Sequence, residues 1–347
     1  MNERTAGDVV FVETAARLHF GVLDLRGARG RWFGGVGAAA PEPLVRLSAR
    51  KSDTLEVTGD DAERVAEFAE RYLSSQGVRT AGQLRVERAL PRHSGLGSGT
   101  QLALATARAL AELHGLPTDV RVLAHAVGRA RRSAIGTWTF AGGGLVVEGG
   151  RRPGHDECGP LISRVPFPSD WRCVVALPHA TAPGISGAVE EAAFASLPPP
   201  SERDVERVAH LVLMTLLPSL ADDDLEAFGS TLTQIQEITG CWFASVQGGA
   251  YARGRSEELV KLLAEWGAAG VGQSSWGPAV YGIVRGAAAG KALADRARTW
   301  LGDEGEVYEG PFRREGARVW VERGIEDQRA DPPVRQGPKP RAQSREP

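Results

Sequence analysis

The chain has 347 residues, a formal net charge of −2, 42% hydrophobic residues and 24% charged residues. This is the composition of a soluble globular protein long enough for two domains, with no global electrostatic footprint for nucleic acid. Cys158, Cys173 and Cys241 are widely spaced and form no Cys-x-x-Cys pair, the start is polar, and no run of about eighteen apolar residues reads as a membrane span. A reduced, cytoplasmic setting without membrane or nucleic-acid partners is therefore expected.

Alternation over residues 9–20 predicts a strand, followed by 22–25, a turn, and a glycine-rich hairpin over 31–40. Short strands are expected at 44–47 and 55–58. A helix over 60–76 places Val65, Phe68, Ala69 and Tyr72 on one face and stops at Gly77. A strand-like run at 84–90 leads to a glycine loop and an Ala/Leu-rich helix ending near Gly115. A second amphipathic helix is expected over 119–132, a loop over 133–140, and a strand from Gly142 to Glu148. The turn-rich stretch 149–160 is the expected boundary between domains at 1–160 and 161–325.

The second half opens with a strand at 171–177, a proline-containing loop at 179–186 and a short helix at 189–194. Helices are expected at 202–217, 222–239 and 256–268. A second glycine/serine loop at 270–278, a strand at 279–284, a helix at 290–301 and a strand at 317–322 complete it. Residues 326–347 lack apolar periodicity and read as a disordered tail.

The chain is organised around Pro91-Arg92-His93-Ser94-Gly95-Leu96-Gly97-Ser98-Gly99-Thr100-Gln101. Spaced glycines bring backbone N–H groups close to an anion, and the helix that follows adds unpaired amides and a positive dipole end. Gly95, Gly97, Ser98, Gly99 and Thr100 make the expected phosphate or diphosphate cradle, with hydroxyl donors on Ser94, Ser98 and Thr100. A tight turn is the competing reading. No Gly-Lys-Ser/Thr follows, so this is no Walker A loop, and Thr100 stands where a dinucleotide fingerprint needs its third glycine. Ser98 is not in a Gly-x-Ser-x-Gly elbow.

The element order, this loop and the late Gly270-Val271-Gly272-Gln273-Ser274-Ser275-Trp276-Gly277-Pro278 loop resemble the GHMP small-molecule kinase superfamily. Ala16–Leu25, Arg31–Gly37, Ser94–Gln101 and Arg132–Thr137 resemble a narrower family within it, the β-ribofuranosylaminobenzene 5′-phosphate synthases of methanopterin biosynthesis, and the resemblance runs from about residue 12 to 322. It implies an α+β, GHMP-kinase-like two-domain fold, with a ribosomal-S5-domain-2-like N-terminal half and a ferredoxin-like C-terminal half. It also implies Mg²⁺ dependence, metal ligands unspecified, and a homodimer. The implied reaction condenses 5-phosphoribosyl 1-diphosphate with 4-aminobenzoate or 4-hydroxybenzoate, releasing diphosphate and carbon dioxide. Kinases of the superfamily that use a catalytic aspartate carry it before the glycine-rich strand, and no residue between Arg132 and Glu148 is acidic here. A kinase reading thus lacks its base. A kinase using another base, and a silent phosphometabolite-binding paralogue, are the alternatives.

On this resemblance Arg17 holds a phosphate or the benzoate carboxylate, or is a solvated strand-end arginine. His19 orients the aromatic substrate or assists proton transfer, or is a satisfied half-buried side chain. Asp24 holds Mg²⁺ or ribose hydroxyls, or caps its own turn. Ser133 and Thr137 face the reacting centre or cap a helix end. Gln273, Ser274 and Ser275 bring the second half over the site, with Trp276 either beside them or in the core.

Overall fold

The computed structural model describes residues 7–79, 81–179 and 187–323. Most of the loop expected at 179–186, and the tail expected at 326–347, lie outside the described residues.

Two long strands, β1 (Val9–Asp24) and β2 (Phe33–Ser52), form the spine. The separate short strands expected at 31–40 and 44–47 are parts of one β2. Its partners explain the apparent break: Gly35–Ala38 pair with β5 (Leu145–Glu148), whereas Arg46–Ser52 pair with β4 (Ala81–Arg88). Pro41 and Pro43 sit between these ladders, and the β1 register also skips from Ala39 to Leu44, so their missing N–H groups cost no sheet bond. β3 (Glu56–Gly59) runs parallel to β4.

Helices α1 (Ala62–Gln76) and α2 (Ser98–His114) cover the sheet, α1 burying the four residues its periodicity named. The helix expected over 119–132 is only α3 (Val120–Ala126), because Gly128 and Ala130 turn to positive φ. The expected loop at 133–140 is instead α4 (Ile135–Gly142), which leads into β5. β6 (Leu161–Val165) then pairs with β5.

The chain continues through β7 (Trp171–Pro178), α5 (Gly187–Ser196) and α6 (Glu202–Leu211). A single π-helical turn joins α6 to α7 (Leu217–Ala221), followed by α8 (Leu225–Trp242), α9 (Ala244–Gln247) and α10 (Arg255–Glu265). β8 (Gly270–Gln273), the strand that opens the second glycine loop, precedes β9 (Val280–Arg285), α11 (Ala287–Leu301), β10 (Gly305–Pro311) and β11 (Arg318–Glu322). The second sheet runs β10-β7-β9-β8, all antiparallel, which is the fourth-first-third-second order of a ferredoxin-like unit. The expected α+β build is present in both halves.

The last strand corrects the reading of the sequence. β11 was expected to complete the second half, but it pairs with β1 from Val9↔Glu322 to Glu13↔Arg318. Phe11 and Trp320 stack across that pair at 5.1 Å. Alternation marks a strand without naming its partner, and the partner here is some 300 residues upstream. One hydrophobic core runs from the first sheet through Phe167, Trp171, Phe228 and Phe312 into the second half. No helix among the described residues is long and apolar enough to cross a membrane.

Candidate active site

A cleft of about 790 Å³ opens where the N-terminus of α2 meets the loop between β8 and β9. His93, Gly95 and Gly97 all have positive φ, so the loop zigzags into α2. No side chain caps α2 and its first turn holds no acid, which leaves the helix end open to an anion. The Gly95 carbonyl accepts hydrogen bonds from Arg17 Nη1 at 2.6 Å and from Ser274 Oγ at 2.7 Å, and Ser274 Oγ accepts from the His19 N–H at 3.0 Å. β1, the glycine loop and the late loop are thereby tied at one point.

The expected cradle residues Ser94, Gly95, Gly97, Ser98, Gly99 and Thr100 all line this cleft, together with Arg17, His19, Ser133, Gln273, Ser275 and Trp276. Some are anchors. Ser94 is buried and donates to the Pro91 carbonyl at 2.8 Å. The Gln273 side chain accepts from the Ala252 N–H at 2.8 Å and donates to the Ser275 carbonyl at 3.0 Å. Ser133 Oγ accepts from the Ile135 N–H at 3.3 Å. His19 is buried, and desolvation, followed by the charge of Arg17, holds its imidazole down at about 3. It is neutral at working pH and offers a hydrogen bond rather than a charge.

Three expected site residues do not line the cleft. Asp24 Oδ1 accepts from the Arg26 N–H at 2.6 Å and the Gly27 N–H at 3.0 Å, the turn-capping role of an aspartate ending a strand. Thr137 is fully buried within α4, since helix formation from Ile135 turns it inward while Ser133 stays outside. Ser274 is also fully buried and acts as the tie just described.

Sequence reading missed the cleft's charge. Among the described residues seven arginines line it, from β1 (Arg17), α1 (Arg64), the glycine loop (Arg92), the α3–α4 connection (Arg129, Arg131, Arg132) and the segment after β5 (Arg151). Among the described residues the only carboxylates lining it are Asp156 and Glu191, each 3.9 Å from Arg151 and Arg132 respectively. A Cβ on Gly99 would stand 3.0 Å from Arg64 Nη2 and 3.3 Å from Arg129 Nη2, so two guanidinium groups reach the first turn of α2. Arg64 and Arg92 share Asp61. Burial, then repulsion from Arg64 and Arg71, lowers Arg129 to about 10. Its Nε is buried with no hydrogen-bond partner. Concentrated positive charge of this kind is stabilised by a bound anion. The Arg-Ala-Arg-Arg run at 129–132 was the signal available in the sequence.

Half-buried aromatic side chains form another wall of the cleft: Phe33, Phe194, Phe243 and Trp276. Phe194 meets the other three edge-on at 5.5 to 5.8 Å, and Phe243 lies 4.9 Å from Trp276.

Behind the cleft, fully buried Glu148 accepts from the Ala134 N–H at 3.2 Å and the Gly150 N–H at 2.7 Å, bracing the segments that carry Ser133 and Arg151. Burial pushes its carboxyl from 4.5 up to about 7, against the lowering effect of those hydrogen bonds and Arg31. The folded protein therefore keeps a proton that the unfolded chain has released. Stability from this group falls as pH rises from about 4.5 through 7, by about 3 kcal/mol. Thermal melts across that range should show wild type losing stability relative to Glu148→Gln. A difference that stays flat with pH would refute the assignment.

Among the described residues no group of three or more His, Cys, Asp or Glu is placed to hold a metal. The described residues thus offer no cluster of such side chains for the expected Mg²⁺. Asp156 and Glu191, each 3.9 Å from an arginine, are the carboxylates available at the cleft, so an ion there would take most of its oxygens from substrate phosphates.

Comparison with known proteins agrees with this architecture. The GHMP kinases N terminal domain family matches residues 61–143, and the GHMP kinases C terminal family matches residues 216–302. A homoserine kinase from Cytophaga hutchinsonii superposes with a TM-score of 0.67 at 18% identity, covering 92% of this chain and 100% of that one, a likeness of fold. The "Beta-ribofuranosylphenol 5'-phosphate synthase" of Methanothermobacter thermautotrophicus is 35% identical over 79% of this chain and 88% of its own. The protein of the same name from Archaeoglobus fulgidus is 35% identical over 80% of this chain and 89% of its own. With its glycine loop, its arginine-lined cleft and relatives this similar over most of their length, the chain belongs to the β-ribofuranosylphenol 5′-phosphate synthase family within the GHMP fold.

Proposed function

We propose that the protein condenses 5-phosphoribosyl 1-diphosphate with a 4-substituted benzoate, releasing diphosphate and carbon dioxide. The observation that carries this reading is the cleft itself, where seven arginines among the described residues line a space that holds an uncapped helix N-terminus and an aromatic wall. A donor with phosphate groups at both ends and an acceptor that is an aromatic acid match these two surfaces. The relatives' printed name keeps a phenol, so it favours 4-hydroxybenzoate over 4-aminobenzoate as acceptor.

In this mechanism the α2 amides with Arg64 and Arg129 receive the diphosphate and stabilise charge that grows as its bond to the anomeric carbon breaks. Asp156 and Glu191, the cleft's carboxylates, would be the side chains available to hold Mg²⁺, and the ion would neutralise part of that charge. The ring carbon bearing the carboxylate bonds to the anomeric carbon, and the electron pair of the ring–carboxylate bond returns to the ring as carbon dioxide leaves. Holding both substrates in one cleft supplies proximity. Neutral His19 is a hydrogen-bonding group at the cleft wall. A homodimer, the commonest symmetric assembly, belongs to the same reading and is checked by light scattering.

Purified protein given Mg²⁺, 5-phosphoribosyl 1-diphosphate and carboxyl-labelled acid should release labelled carbon dioxide only when the donor is present. ATP consumption dependent on a small alcohol, with no label released, would replace this reading with a kinase. Donor binding without turnover of either kind would leave a binding protein.

A further inference from the structure

We infer that Phe33, Phe194, Phe243 and Trp276 form the subsite for the acceptor's aromatic ring, with Arg132 and Arg151 flanking it to attract the acid's negative charge. The inference rests on the synthase reading and adds to it the place where one of the two substrates sits.

Four observations converge. First, the rings come from segments far apart in the chain: the start of β2, α5, the end of α8 and the β8–β9 loop. All four line the cleft and all four are only half buried. Aromatic surface left facing a cleft otherwise lined by arginines is a ligand wall rather than core. Second, their edge-to-face packing is the geometry by which aromatic rings extend a cluster, so a further planar ring can join it.

Third, the wall carries its own cations. The Arg132 guanidinium lies 5.4 Å from the Phe194 ring centre, and that of Arg151 lies 5.6 Å from Phe33. Arg151 Nε is buried with no hydrogen-bond partner. Each guanidinium also stands 3.9 Å from a carboxylate, Glu191 for Arg132 and Asp156 for Arg151, so both cations are held at the wall, where an aromatic anion meets ring faces and positive charge together. Stacked against rings, the guanidiniums attract the carboxylate without a bidentate clamp, and a clamp would hold back the group that must leave as carbon dioxide. Fourth, Phe33 holds positive φ, an unfavourable backbone for a bulky residue, and thereby ends up facing the cleft. The wall also adjoins the donor cradle, because the loop bearing Trp276 is tied by Ser274 to the Gly95 carbonyl.

The test uses the full chain and 4-hydroxybenzoate. Phe243→Leu keeps apolar volume and removes the ring. It should raise the KM for the acid roughly tenfold and leave the KM for the phosphoribosyl donor within about twofold. A measurement on the unsubstituted protein runs beside it: with only Phe and Trp protonated in a deuterated background, NOEs should connect the acid's ring protons to protein aromatic protons. Turnover with an unchanged acid KM and no such NOEs overturns the subsite and leaves the synthase reading standing. NOEs that weaken in Phe243→Leu, without turnover in wild type, support the subsite and remove the synthase reading. Absence of both binding and turnover removes both. A Phe243→Leu change that raises both KM values equally also overturns the assignment, because it marks general damage to the cleft.

Discussion

Replacing Arg129 with Met is expected to lower kcat/KM for the phosphoribosyl donor by on the order of 100-fold while leaving the ligand-free protein as stable as wild type or more so. The two halves of that result come from the same geometry. Arg129 lies against the Phe68 ring at 4.9 Å, reaches the first turn of α2, and is repelled by Arg64 and Arg71. Charge-assisted hydrogen bonds to a phosphate contribute about 1.5–3 kcal/mol each, the upper end of which corresponds to the expected loss. Met preserves the apolar contact with Phe68 and removes a charge that the empty site does not neutralise. Activity down with melting temperature unchanged or up is the signature of a binding group held at some expense of stability. Steady-state kinetics and thermal melts of one preparation decide it. A fall in melting temperature that parallels the fall in activity would show Arg129 to be structural.

Gly95→Ala is the second large effect, expected to destabilise the fold by about 2–3 kcal/mol and to lower kcat/KM on the order of 100-fold. Gly95 has φ +79, a backbone that costs an L-residue about 1–2 kcal/mol. The added Cβ would also overlap the Ser274 carbonyl oxygen, and a backbone atom of a tied loop cannot swing aside. Relief requires the glycine loop to move off the late loop, which displaces the amides that face the anion. Gly115→Ala is the control. It has φ +64 but open space around it, so it should cost only the backbone strain, about 1 kcal/mol, with kcat/KM unchanged. Equal effects at the two positions would show that strain alone, and not the contact between the loops, governs the site.

Parts of the molecule governed by neighbours in sequence were legible without a structure. The loop from Pro91 to Gln101 announced itself through glycine spacing and the helix after it, and it does form the cleft's floor. The α1 face likewise follows from local periodicity, whereas the ferredoxin-like order of the second half was implied by the family resemblance and not by periodicity, which showed neither β8 nor β10 as a strand. Asp24 shows the limit. Its place at a strand end allowed both a capping and a ligand role, and only the direction of its carboxylate, toward the Arg26 and Gly27 amides, separated them.

What tertiary structure decided was everything that depends on distant segments meeting. β11 reads as a strand anywhere, but it joins β1 because Trp320 finds Phe11 there. Thr137 leaves the site because α4 turns it into the core. Arginines from five segments line one cleft, and aromatic rings from four more line it beside them. Arg17, Thr137 and Trp276 stood out in their own stretches of chain, but their convergence or departure did not. Local sequence specifies backbone conformation through steric and hydrogen-bonding preferences among near neighbours. Charge density and apolar surface in a cleft are sums over chain segments that only folding brings together.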